Sequence, residues 1–313
     1  MNAITPALID KPGIYQMSAD LYHSDPCPQN SLSSSGAHTI AFECPATYDH
    51  ERNNRVNKRV FDIGTASHLM TLEPDLFDAS VAIVRGFTKD GKPSAGYASQ
   101  DAKDQREDAY AAGKTPLLPD EAELIQNMRR ALAADPIGRN AFKNGKAEQS
   151  IFWQDAEFGC WCRTRPDWIP AHGRYLTNWK TSASANPDDV ARAIFNLGYF
   201  QKSAWELDGY EAITGERPQK YCLLVQSKSP PHLVIPVWLH ADDLAWGAKI
   251  NRYARGVFAW CSERNEWPGY SQKPGQIAKG FEDIRMPVWA VKQLEEKDAR
   301  GEFVAPQQME NAA

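Results

Sequence analysis

Residues Arg163 to Lys180 read Arg-Thr-Arg-Pro-Asp-Trp-Ile-Pro-Ala-His-Gly-Arg-Tyr-Leu-Thr-Asn-Trp-Lys, and the reading of the whole chain turns on them. The run Cys160 to Ile169 alternates apolar and polar residues, Pro170 and Gly173 mark a turn, and Tyr175 to Lys180 resumes the alternation, so the segment predicts a β-hairpin. Asp167 then falls near the end of the first strand, while Asn178 and Lys180, two residues apart, share a face of the second. A carboxylate, a second oxygen donor and a lysine converge. A divalent cation needs hard oxygen ligands, and hydrolysis of a phosphodiester needs such a cation plus a positive group for the transition state.

Short Asp…x-x-Lys spacings also arise on surface hairpins, so the outer sequence has to decide. The 313 residues have 42% hydrophobic and 24% charged content, which fits a globular chain with a sizeable core. A formal charge of -5 and a pI near 5.8 argue against a protein that coats nucleic acid non-specifically, but leave room for a local basic groove. No apolar run is long enough to cross a bilayer, and Met1 to Pro6 lacks the basic and apolar regions of a secretory signal, so a cytoplasmic protein with no membrane partner is expected. Six cysteines without a C-x-x-C pair make no disulfide framework. Cys160 and Cys162 share a strand face, which admits a zinc or redox role, although buried thiols are the simpler reading.

Residues 1–30 read as an N-terminal arm. Ser31 to Ser35 is a hydroxyl-rich string leading into a helical pattern from Ala37 to Arg55, interrupted at Cys44-Pro45; its serines suit helix capping and phosphate binding alike. Phe61 to Leu72 has apolar residues at helical spacing, with His68 inside it either as a core residue or as a ligand. Helices are predicted over Gly96–Ala112 and Pro119–Ala134, then a strand over Ala147–Gln154 with Glu148 at its start. Beyond the hairpin come a long helix from Pro187 to Thr214, strands over Lys220–Gln226 and Leu233–Leu239, and a helix from Ala241 to about Arg264. This order predicts one α/β domain over 31–270, mainly helical over 31–146 and with a mixed central sheet flanked by helices over 147–270. Residues 271–313 form a charged C-terminal extension.

Several segments follow one another in a specific series: Tyr15–Tyr22, Ser31–Tyr48, Asp62–His68, Glu148 before Ile151-Phe152-Trp153, Cys162–Asp167, and Trp179-Lys180-Thr181. Over roughly residues 12 to 270 the chain resembles the RecE-type (exodeoxyribonuclease VIII) branch of the PD-(D/E)xK nucleases of phages and prophages. The resemblance implies that His68, Glu148, Asp167 and Asn178 lie at the metal site and that Lys180 is the catalytic lysine. It places Ser33 and Ser35 at the DNA end and Arg165, with Arg163 beside it, near the scissile phosphate, and it extends the DNA contacts to Gln201 and Lys202. It further implies two magnesium (or manganese) ions, 5′-to-3′ digestion of one strand of linear duplex DNA to leave 3′ tails, a homo-oligomeric ring, and a single-strand annealing protein as partner.

Three positions depart from the family. Its Asp-x-Lys is Asn178-Trp179-Lys180 here, and an amide oxygen lacks the charge of a carboxylate. In its helical Gln-x-x-x-Tyr, the Gln place holds Lys202 and the Tyr place Glu206. Gln201 stands one residue early, about 100° around the helix, and Lys202 and Glu206 have the i, i+4 spacing of an ion pair. A nuclease-fold DNA-binding protein with weakened or no catalysis is therefore the alternative reading. An iron-sulfur nuclease is disfavoured because Cys261 stands alone near the C-terminus, where a cluster needs several thiolates.

Overall fold

The computed structural model describes residues 9–54, 62–270 and 285–303. Phe61, Arg55, residues 271–284 and 304–313, for which a helix start, a helix end and parts of the extension are predicted, lie outside them. In chain order the first elements are β1 (Gly13–Tyr15), α1 (Ala19–His23), β2 (Leu32–Ser33), α2 (Ser34–Phe42), α3 (Pro45–Asn53), α4 (Asp62–Leu72), α5 (Pro74–Ser80), β3 (Val81–Ile83), α6 (Gln100–Ala111), β4 (Thr115–Leu117), α7 (Pro119–Ala134) and α8 (Gly138–Ala141). They are followed by β5 (Gly145–Ala147), β6 (Ser150–Gln154), β7 (Trp161–Thr164), β8 (Trp168–Pro170), β9 (Tyr175–Ser182), α9 (Pro187–Asn196), α10 (Tyr199–Thr214), β10 (Lys220–Ser227), β11 (Val234–Trp238), α11 (Ala241–Arg264) and α12 (Val288–Ala299). The chain divides after Gly269; residues 1–8 of the predicted arm lie outside the described residues, and the arm's described part, residues 9–30, carries β1, which pairs antiparallel with β6 in the first unit, while α12 lies in the second.

Two sheets carry the fold: a four-stranded one ordered β1-β6-β7-β2 and a five-stranded mixed one ordered β11-β10-β9-β8-β5, while β3 and β4 form a separate parallel pair. The sheets are joined through their own strands. Ile151 pairs with Thr164 in the first sheet, and Ala147 pairs with Trp168 in the second. These pairs share one antiparallel register, so the two runs form a single ladder that opens at Glu148–Gln149 on one side and Arg165–Asp167 on the other.

The predicted hairpin and the predicted strand Ala147–Gln154 are thus both broken at the same level, and the causes are local. Pro166 cannot donate to a ladder. Glu148 has φ 49°, a left-handed conformation that a non-glycine residue adopts at a cost and that turns its side chain out of the regular alternation. The only ladder bond left between the gaps runs from the Glu148 N–H to the Asp167 carbonyl, at 3.1 Å.

The single helix predicted from Pro187 to Thr214 is two helices, α9 and α10, divided at Gly198. That glycine has φ 65°, and a Cβ on it would lie 2.5 Å from the His38 ring. Helix α10 lies beneath both sheets. Trp205 enters the core formed with Ile151, Trp153 and Phe258, while Ala204 and Leu207 pack against Leu176, Leu223 and Val225. On the opposite face of the five-stranded sheet, Met128 and Leu132 of α7 cover Trp179 and Leu224. Leu176 and Asn178 therefore face α10, and Trp179 faces α7, as period-2 alternation requires. No described helix is long and apolar enough to cross a membrane.

Candidate metal and DNA site

The site forms where the ladder opens. Glu148 and Asp167 stand opposite each other on antiparallel strands, an arrangement that is unfavourable for two carboxylates unless cations lie between or beside them. His68, projecting from α4, supplies one neighbour: its Nδ1 lies 3.7 Å from Glu148 Oε1 and 3.7 Å from Asp167 Oδ2. Burial pushes the His68 imidazole down, but Asp167 and Glu148 together outweigh it and hold the ring above its ordinary value. The ring also packs against Trp179, 5.3 Å between centroids, which fixes its direction. One potential ligand atom from each of the three residues falls within 4.8 Å of the others.

Lys180 closes a third side, with Nζ 3.5 Å from Asp167 Oδ2. Burial disfavours its charge, yet Asp167 and then Glu206 raise its pKa above the ordinary lysine value, so it stays an ammonium. Asp167 is itself locked, because its Oδ2 accepts from the Trp179 N–H at 2.7 Å. Two carboxylates and an imidazole fit a divalent cation of the manganese or magnesium kind, the oxygens suiting either and the nitrogen favouring a transition metal. Among the described residues this is the group of three or more histidine, cysteine or acidic side chains that could hold a metal; all six cysteines are free and buried.

Asn178 is buried, and both ends of its amide are engaged. Its Oδ1 accepts from the Asp167 N–H at 3.0 Å, and its Nδ2 donates to Glu206 Oε1 at 3.0 Å. Glu206, 5% exposed, accepts on its other oxygen from the Tyr221 hydroxyl at 2.5 Å. The predicted Lys202–Glu206 pair is absent: Lys202 Nζ donates to the Leu197 carbonyl at 2.9 Å. Burial, followed by repulsion from Asp167, pushes the Glu206 carboxyl up to about 7.

Three residues assigned to DNA contact have partners within the chain. Arg163, 4% exposed, pairs with Asp25 at 2.7 Å and donates to the Ser31 carbonyl at 2.8 Å, pinning the N-terminal segment to β7. Arg165 binds Glu148 at 2.7 Å, the Met17 carbonyl at 2.9 Å and the Ser150 hydroxyl at 2.8 Å, so its guanidinium is paired with a site carboxylate. Gln201 is fully buried and hydrogen-bonded to Asn251, joining α10 to α11. Their planar, multiply donating groups satisfy acceptors that are wholly or largely shielded from solvent.

The remaining predicted contacts are more open. Ser33 caps α2 by accepting from the Gly36 N–H at 3.2 Å, and its hydroxyl lies 3.2 Å from that of exposed Ser35. Lys202 has its pKa lowered by burial and then by the charge of Lys180. Beside Lys180 a cavity of about 220 Å³ is lined in part by Thr181, Ser182, Tyr199, Leu197 and Lys228. Sequence reading missed Tyr221, which alternates with Leu223 and Val225 and so reads as ordinary core, and Glu73, whose carboxylate lies 4.0 Å from Arg165. Neither carries a signal in the sequence, because each matters only through a partner distant along the chain.

A family model described as a PDDEXK-like domain of unknown function (DUF3799) matches residues 33–278, and the chain belongs to that family. Its fold is therefore that of the PD-(D/E)xK proteins, α/β with mixed sheets flanked by helices. A crystal structure of a putative exonuclease from Eubacterium rectale superposes with a TM-score of 0.58 at 11% identity, covering 86% of this chain and 97% of that one. No curated protein matches the sequence.

Proposed function

We propose that the chain is a divalent-metal-dependent deoxyribonuclease that digests one strand of linear duplex DNA from the 5′ end and leaves 3′ single-stranded tails. The observation that carries this reading is the convergence of Glu148, Asp167 and the His68 nitrogen on one point, with the Lys180 ammonium against Asp167. A divalent ion held by those three side chains would supply Lewis acidity to the phosphate and a more acidic water. Lys180, kept charged by Asp167, offers its ammonium to the charge that develops on the phosphoryl oxygens. Arg165 keeps Glu148 ionised and aimed, since burial alone would favour its neutral form, whereas His68 and Arg165 hold its pKa below the ordinary value. The ammonium groups of Lys180 and Lys202, whose charges repel each other, form a place for a backbone phosphate, and Ser33 and Ser35 offer hydroxyls to the DNA end. The homo-oligomeric ring and the strand-annealing partner rest on the RecE-like resemblance; light scattering of the purified protein tests the ring.

The deciding experiment incubates the protein with end-labelled linear duplex and with closed circular duplex, in magnesium, manganese or EDTA, beside Lys180→Ala. Release of nucleotides from the 5′ end of linear DNA alone, dependent on metal and lost in Lys180→Ala, is the expected result. Unchanged digestion by Lys180→Ala overturns the site. The full engagement of the Asn178 amide favours a second reading, a nuclease-fold protein that binds DNA without cutting it. DNA binding with no release in either metal would establish that reading instead.

A further inference from the structure

We infer that Asn178 and Glu206 act as one matched amide–carboxylate pair, in which Glu206 is a positioning residue that orients Asn178, and through it Asp167, while carrying the pair's single negative charge. The inference deepens the proposed nuclease site and rests on that reading only for its consequence for metal and DNA. The geometry leaves the Asn178 amide one orientation: a carboxylate receives its Nδ2, and a backbone N–H needs its Oδ1. Tyr221 holds the far oxygen of Glu206, so the relay Tyr221–Glu206–Asn178–Asp167 links β10, α10, β9 and the gap before β8. The relay ends on the residue whose carboxylate faces His68 and Lys180.

Charge explains why the pair is asymmetric. An aspartate at 178 would point a second carboxylate at Glu206 across a hydrogen-bond distance, in a region where both residues are buried and no donor would remain between them. Restoring a carboxylate on the strand is therefore unfavourable while Glu206 is present, and becomes acceptable once 206 is an amide. Glu206→Gln keeps the pair's shape, since its carbonyl can still accept from Asn178, but removes the negative charge that lies near Lys180 and Asp167.

The test is a cycle of Asn178→Asp, Glu206→Gln and the double variant. Thermal unfolding at pH 8 without metal and calorimetric titration with manganese provide the two readouts. Asn178→Asp is expected to lower Tm by about 5 °C, and adding Glu206→Gln to recover most of that loss. Glu206→Gln alone is expected to keep or raise Tm, yet to weaken manganese binding about tenfold through loss of a nearby negative charge; the double variant regains wild-type affinity or better. A double variant no more stable than Asn178→Asp, or folding no better than it, overturns the pairing. Unchanged manganese affinity in Glu206→Gln reduces Glu206 to a packing group and overturns its positioning role. A nuclease assay that is negative for every protein, combined with the expected Tm cycle, would remove the proposed function and leave the pair standing.

Discussion

Two polar clusters meet at Asp167, and they are built on opposite principles. On the side of the ladder gap, Glu148, His68 and Lys180 are partly open and mutually unbalanced: like charges face each other across strands, and ring and carboxylates sit 3.7 Å apart, beyond hydrogen-bond reach. On the α10 side, Asn178, Glu206 and Tyr221 are buried, with hydrogen bonds of 2.5 to 3.0 Å that use every facing donor. The first cluster leaves interactions for a cation to complete, whereas the second completes its own. A polar group in a PD-(D/E)xK cleft is thus a candidate for chemistry when its partners are insufficient and for positioning when they are sufficient.

The contrast can be broken most severely at Asp167. Asp167→Asn retains an acceptor for the Trp179 N–H but loses the charge facing His68 and Lys180, so cleavage should fall about a thousandfold or more with little change in Tm. Kinetics beside thermal unfolding would show whether the open cluster is chemical or structural. At the next level, Arg165→Ala leaves the partly buried Glu148 without its guanidinium partner, and urea unfolding should register a loss of about 1–3 kcal/mol. A loss below about 1 kcal/mol would mean that Arg165 is free to serve DNA after all.

The closed cluster should declare itself through pH. A carboxyl whose pKa rises from 4.5 to about 7 on folding stabilises the native state fully below 4.5 and loses that contribution as pH rises through about 7. Metal-free stability should accordingly decline between those values, and Glu206→Gln should flatten the decline. Smallest are the effects at neighbouring positions of α10. Gln201→Ala, which removes the donor to Asn251 Oδ1 while the backbone carbonyl of residue 201 still accepts from Asn251 Nδ2, should cost roughly 1–3 kcal/mol and leave DNA affinity unchanged. Lys202→Ala should change stability by no more than about 0.5 kcal/mol but reduce the salt dependence of DNA binding by about one phosphate contact.

Much of this was legible without coordinates. Pro119 at a helix start and the apolar spacing through Ala134 placed α7, and the alternation of Lys220 to Gln226 placed β10. The order of motifs from Ser31 to Lys180 picked out His68, Glu148, Asp167 and Lys180, which the structure brings together. The internal partners of the two arginines were not legible for a definable reason. Arg163 and Arg165 are held by the N-terminal segment through Asp25, Ser31 and Met17, none of which periodicity can bring near.

Sequence by itself determined elements such as α7, β10 and α11 and the chemical types gathered around Arg163 to Lys180, because period and residue type are local properties. Only the tertiary structure decided that the hairpin changes sheets at Pro166, that Glu148 turns against Asp167, and that Asn178 belongs to Glu206. Those outcomes depend on which buried donors find which acceptors, and that is settled by contacts between segments far apart in the chain.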